Sequence, residues 1–227
     1  MTDDFFQLAL AAMRHQLDHA GADYQIDDGE LTLAGHRLGV SVTFDGFVEQ
    51  AGQVIAPLEI QLHLDGDEGN KFRMGTLGIG HDAAAARQAA VAEWHLLVAA
   101  PVLAALGAPV STRRTRLPPK LAGWNFFPGR LAVRGKLPPD LDPSAAFYRS
   151  VLEVLRAVVS SWPDSGDFAL RSICLLVASS EADHEIQAAI DGMVDTELAR
   201  QLSTLAWPRP TEAYLYKQLF VLRNSGD

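Results

Sequence analysis

Cysteine is almost absent: Cys174 is the single one among 227 residues. That excludes an intramolecular disulfide framework and a cysteine-built zinc site. The linear signatures of catalysis are missing as well. There is no P-loop, no dinucleotide fingerprint, no HExxH and no nucleophile elbow. Met1-Thr2-Asp3-Asp4 carries no positive charge, so the opening of a secretory signal is lacking and the cytoplasm is the expected compartment. The longest uncharged run, Leu96 to Thr112, is 17 residues and is broken by Pro101, Gly107 and Pro109. A membrane span wants roughly 20 apolar residues, so this run reads as a buried core helix.

Positive charge is scarce at the start of the chain. Residues 1–70 hold 2 basic and 13 acidic side chains, a net of −11. Residues 71–149 hold 11 against 4, a net of +7, and residues 150–227 hold 6 against 11, a net of −5, together the chain's −9. Within the basic third, Arg113, Arg114, Arg116, Lys120, Arg130, Arg134 and Lys136 follow one another with no acid between them. Trp124, Phe126 and Phe127 are interleaved with them. Such a segment either neutralises the acidic thirds or meets an anionic partner. With 48% hydrophobic and 21% charged residues, the chain has the composition of a globular protein.

Periodicity gives the organisation. Phe6, Leu10, Met13 and Leu17 form one stripe of a helix over 4–20, with Gly21 as its stop. The period then changes to two. Leu38, Val40, Val42 and Phe44 alternate, as do Leu58, Ile60, Leu62 and Leu64, which puts Glu59, Gln61 and His63 on the wet face. Lys71 to Ile79 returns as another strand of an antiparallel meander. A long helix follows from Asp82, its N-cap, to Leu106, with Pro101 kinking it or ending its first part. Residues 107–121 read as a connector. Trp124–Phe127 and Leu131–Arg134 read as a hairpin on a Pro128-Gly129 turn. Asp142 and Pro143 open a helix whose face is Phe147, Val151, Val154, Leu155 and Val158. Strands over 168–177, 185–190 and 213–222 and a helix over 196–205 complete the chain. The class is α+β, antiparallel meander sheets packed on long helices. The expected organisation is a single compact domain over 1–227, in which sub-halves 1–106 and 122–227, both of helix–meander–helix type, join through 107–121.

Each candidate for chemistry has a plainer reading. Gly75, Gly78 and Gly80 lie between a strand and a helix start, but their GxxGxG spacing fits no phosphate loop, and Asp82 occupies the helix amides; a tight turn before a capped helix explains them. His15 and His19 stand one helical turn apart without a third ligand, as on a solvated helix edge. Cys174, Asp183 and His184 would make a thiol nucleophile only if they converged, and Cys174 lies in an apolar strand. Asp27-Asp28 and Asp65, Asp67, Glu68 read as solvated turns rather than a calcium loop.

Gly78-Ile79-Gly80-His81-Asp82, the alanine-rich turn, Ala92-Glu93-Trp94 and Pro101 resemble an uncharacterised bacterial family of a little over 200 residues, and Gly123-Trp124 and Pro128-Gly129 belong to the same pattern. The resemblance implies an α+β protein without an established activity, so no functional residue carries over. Small acidic proteins of this type include immunity partners of secreted toxins, by analogy alone. The expectation is a non-enzymatic protein-binding module, using no metal or cofactor, with the seven basic residues of 113–136 as its contact segment. The alternative is an enzyme, or a binder of small anions or nucleic acid through that segment. Nucleic acid is disfavoured by a pI near 5.2. The discriminating feature is a pocket where two or three of His36, His63, His81, His95 and His184 converge with carboxylates, against a rimmed surface patch.

Overall fold

The computed structural model describes residues 2–66, 71–109, 120–129, 132–163, 168–209 and 211–224. The chain divides into two compact units, Met1–Ser111 and Thr112–Asp227. The first holds 5 basic and 15 acidic side chains, a net of −10, and the second 14 and 13, a net of +1. The acidity of the protein is the acidity of its first unit.

In that unit α1 (Thr2–Ala20) precedes β1 (Tyr24–Asp27), β2 (Glu30–Leu33), β3 (His36–Phe44), β4 (Val48–Gln50), β5 (Gln53–Leu64) and β6 (Lys71–Gly80). Among the described residues these strands form one antiparallel sheet, with β3 and β4 on one side of β5 and β6 on the other. The expected alternation holds: Leu58, Ile60, Leu62 and Leu64 are buried, with Phe72 and Met74 beside them. The helix that follows is α2 (Ala83–Trp94), a π-helical turn (His95–Ala99) and α3 (Ala100–Ala105). Asp82 caps it, accepting a hydrogen bond from the Ala85 N–H at 2.7 Å. Pro101 does not end this helix. The Ala100 N–H reaches back to the His95 carbonyl, and the widened turn precedes the proline ring, which has no N–H to give. By length and composition Ala83–Ala105 is apolar enough to cross a membrane, yet 56% of its apolar window is buried inside the protein.

The glycines before this helix are not a turn. Gly75, Gly78 and Gly80 lie within β6. A Cβ on Gly78 would fall 1.9 Å from the Ala86 carbonyl oxygen, and one on Gly80 2.4 Å from the Ala86 nitrogen. Two missing side chains therefore let α2 lie directly on the strand, backbone to backbone. Trp94 is fully buried, as its shared face with Ala90, Leu97 and Val98 requires. On the far side Arg87 of α2 meets Asp4 of α1 at 3.0 Å and lies over the Phe5 ring.

The second unit contains β7 (Lys120–Leu121), β8 (Trp124–Pro128), β9 (Ala132–Arg134), a 3-10 turn (Pro139–Leu141), α4 (Ala146–Ser160), β10 (Leu170–Ser179), β11 (His184–Ile190), β12 (Met193–Val194), α5 (Thr196–Ser203) and β13 (Tyr214–Arg223). Its sheet runs β12-β11-β10-β13-β8-β7, with β9 also on β13. The last strand in sequence is thus central, an element order the first unit does not share. Helices α4 and α5 cover one face, where Tyr148, Leu155, Leu198 and Leu202 pack on Val177, Tyr216 and Phe220.

Two expectations are corrected here. β8 and β9 are not a hairpin: Phe126–Pro128 pairs with Phe220–Leu222, and Ala132–Arg134 with Leu215–Lys217, so both run along one edge of β13. Gly129 bridges the gap, its N–H donating to the Leu219 carbonyl at 2.6 Å and its carbonyl accepting from the Gln218 side chain. The hairpin partner of β8 is β7, through Ala122-Gly123. The helix expected at Asp142 begins at Ala146, because Asp142 turns its carboxylate to the backbone N–H of Ser144 at 2.8 Å instead of capping. Its buried stripe is Tyr148, Val151, Leu152, Leu155 and Val159, with Phe147, Val154 and Val158 at the margins.

Candidate interaction surfaces

Both helices of the first unit pack on the face of the sheet that carries Leu58, Ile60 and Gly78. Among the described residues of this unit, no helix packs on the opposite face. Paired residues on neighbouring antiparallel strands share a face, and the register therefore writes this surface out row by row. Thr43, Glu59 and Gly75 form one row, Ser41, Gln61 and Arg73 the next, and Gly39, His63 and Lys71 a third. Cross-strand and along-strand bonds hold it: His63 Nε2 lies 2.7 Å from Ser41 Oγ, and Gln61 donates to Glu59 at 2.6 Å. Burial, and next the charge of Lys71, holds the His63 pKa below its ordinary value. Toward the other end of the same face the row is Val48, Ile55 and Ile79. Val48 is 50% and Ile79 38% exposed. The face thus passes from an apolar row to a polar lattice.

The histidines are placed apart. His36 lies 2.8 Å from Asp65, whose other oxygen accepts the Arg37 N–H. His81 pairs with its neighbour Asp82 at 3.1 Å. His15 and His19 stack with ring centres 6.5 Å apart on exposed α1, and the described residues hold no group of three or more His, Cys, Asp and Glu suited to a metal. His95 sits in the π-helical turn with its Nε2 buried and without a hydrogen-bond partner among the described residues. Burial, then the field of His15, lowers its pKa. A histidine that titrates lower folded than unfolded binds fewer protons folded, so its stabilising neutral form is present above about pH 6.5 and stability falls as pH drops below that. His63 acts in the same direction. We expect the thermal midpoint to decline between about pH 7 and 5.5, and His95→Gln to flatten that decline; a decline of unchanged slope in the variant would assign it elsewhere.

In the second unit the strand ends bring Arg134, Ser179, Asp183, His184 and Tyr214 around a shallow cavity of about 540 Å³. Asp183 is committed locally, accepting the His184 backbone N–H at 2.8 Å. Cys174 does not join it. Cys174 pairs with Ala189 while His184 pairs with Ser179, five residues along β10, or about 17 Å, and on the opposite face. Of the seven basic residues singled out in the sequence, Arg113, Arg114, Arg116 and Arg130 lie outside the described residues. Lys120 is exposed on β7, Lys136 is exposed after β9, and Arg134 lines the cavity. Lys120 neighbours Asn125, which pairs with Arg223, whereas Arg134 pairs with Leu215; eight residues of β13, about 27 Å, separate the two positions. Trp124 and Phe126 are buried in the core, and Phe127 faces the other way, under Arg223.

A family model matches residues 26–224, beginning in β1 and ending just after β13. The chain belongs to DUF6348, a family of unknown function. The DUF6348 match spans both units, and it agrees with the uncharacterised family that residues around 75–130 resemble. No curated protein and no solved structure matches the chain. For this DUF6348 member the surfaces themselves are what a functional reading rests on. The sequence reading missed the Val48–Ile55–Ile79 row because β4, at three residues, is too short to register as a period.

Proposed function

We propose that this protein is a binding module that docks another protein on the open face of its first sheet. The observation that supports the reading is the apolar row Val48, Ile55 and Ile79, exposed at Val48 and Ile79, beside a polar lattice in which Ser41 is hydrogen-bonded to His63 and Gln61 to Glu59. Interfaces of this kind place apolar anchors within a polar rim, and pre-ordered rim groups lose little freedom on binding. An enzyme would need acid–base groups converging in a concave site. A cavity of the first unit, about 650 Å³, is lined by Asp23, Tyr24, Gln25, Thr32, Leu33 and Leu106 among glycines, alanines and Pro109, with one carboxylate and no histidine. The second unit's cavity does hold Asp183, His184 and Tyr214, but Asp183 there accepts the His184 backbone N–H.

The test begins with a partner recovered on the wild-type protein and then purified. Ile79→Asp and Val48→Asp alter exposed side chains, so the fold should survive them. Each should weaken the purified pair by about thirtyfold, the effect of losing an interface hot spot. Binding by both variants within a factor of about two of wild type would reject this face.

A further inference from the structure

The second unit carries a different kind of surface, along the outer edge of β11. Two hydrogen bonds fix which way its backbone points. Asp191 N–H donates to the Ser172 carbonyl on β10, whereas Asp195 N–H, just beyond β12, donates to the Ala188 carbonyl. Ala188 therefore faces outward, away from β10, and by the alternation of an antiparallel ladder so do Ile186 and His184. β12 covers this edge only at Ala189 and Ile190, after which Asp195 turns the chain into α5. The N–H and C=O of Ile186 are left facing outward with no strand paired to them among the described residues. Beside this opening, Met193 and Val194 are each 74% exposed, the most exposed large apolar side chains described.

The segment that forms this edge carries charge of one sign, while Arg134, Arg171 and Arg200 stand beside it. Between residues 180 and 199 stand Glu181, Asp183, Glu185, Asp191, Asp195 and Glu197, with no Lys or Arg. Asp191 is engaged by Arg171, Asp195 as the α5 cap, and Glu197 by Arg200, which with Gln201 holds its pKa down to about 2. Among the described residues Asp183 and Glu185 meet neutral donors only, the His184 N–H and the Gln187 side chain. Glu181, Asp183 and Glu185 are exposed at the open end of the strand. A second copy of this chain would bring the same acidic edge against itself. We propose that the outer edge of β11 is a strand-addition site for an extended, basic segment of a partner protein. Main-chain hydrogen bonds to Ile186 would set the register, Met193 and Val194 would meet the segment's apolar side chains, and the three carboxylates would select lysine or arginine between them. The site shares no residue with the open face of the first sheet, so either can fail alone.

A blocked hexapeptide of alternating lysine and valine serves as the probe, with an alternating glutamate–valine peptide and an N-methylated copy of the first as comparisons. On the full chain, the lysine peptide should bind and slow hydrogen exchange at the Ile186 amide. N-methylation of the edge-facing amides should weaken it by about tenfold, as should Ile186→Pro, which removes the outward N–H together with a side chain at the margin of the core. Should Ile186→Pro fail to fold, Glu185→Lys with Asp183→Lys tests the same edge from its charge, with the same expected loss. Equal binding of the N-methylated peptide, protection elsewhere but not at Ile186, or no binding of the lysine peptide would overturn the proposal. So would a concentration-dependent dimer of wild type that Ile186→Pro abolishes, since the occupant would then be a second copy.

Discussion

Gly78→Ala should unfold the first unit or separate its long helix from the sheet. The added Cβ would meet the Ala86 carbonyl oxygen, the Ala90 nitrogen and the Ala90 Cβ at 1.9, 2.6 and 2.7 Å. Two of these are backbone atoms of α2, which cannot rotate away as a side chain can. Overpacking a core costs about 1–3 kcal/mol where side chains adjust, and here we expect at least the upper figure. Gly75→Ala is the internal comparison. It lies in the same strand with nothing within 4 Å of its would-be Cβ, so its stability should stay within about 0.5 kcal/mol of wild type or rise. Urea denaturation followed by far-UV circular dichroism reads both. Equal midpoints for the two variants would mean that α2 does not rest on β6 through its glycines.

Trp94→Ala is expected to be nearly as damaging, by about 3–5 kcal/mol, out of the roughly 5–15 kcal/mol that a domain possesses. The side chain is fully buried where α2 passes into the π-helical turn. Its indole N–H has no hydrogen-bond partner among the described residues. The loss is therefore one of packing, and Trp94→Phe, which keeps a ring and deletes that N–H, should cost much less than Trp94→Ala. A Trp94→Ala protein that melts within about 2 °C of wild type would place the residue outside the core. Equal losses from Phe and Ala would instead point to a role for the N–H.

The elements legible in the sequence were those with a long, clean period. Leu58 to Leu64, Leu10, Met13 and Leu17 of the α1 stripe and the Asp82 cap follow from spacing and from a single carboxylate, while Phe5 rather than Phe6 heads that stripe in the core. What escaped were the short hairpins. β1 and β2 join through Asp28-Gly29, β2 and β3 through Ala34-Gly35, β4 and β5 through Ala51-Gly52, and each of these six residues has positive φ. Asp28-Gly29 has the composition of such a turn but joins strands of only four residues, too short for a clean period. At the other two, alanine in that conformation is unfavourable by itself and is imposed by the strands on either side. The β8–β9 error has a similar origin. Pro128-Gly129 has the composition of a turn, but Gln218 and Leu219 of β13 take up the polar groups of Gly129 and keep the chain on one edge. The glycines of β6 were visible as a motif while their reason was not, since close approach of two backbones leaves no mark on periodicity. For the candidate site, the polar lattice was readable from the alternation of Glu59, Gln61 and His63. The apolar row was not, because it needs the register of three strands at once.

The central claim, that a partner protein docks on the open face of the first sheet, is tested most directly by photo-cross-linking from single positions. A photoreactive residue at Ile79 or Val48 samples that face, and one at Ala11, on the exposed side of α1, samples the opposite side of the same unit. The account predicts adducts to one partner from Ile79 and Val48 and none from Ala11. Adducts to that partner from Ala11, with none from Ile79 or Val48, would contradict it.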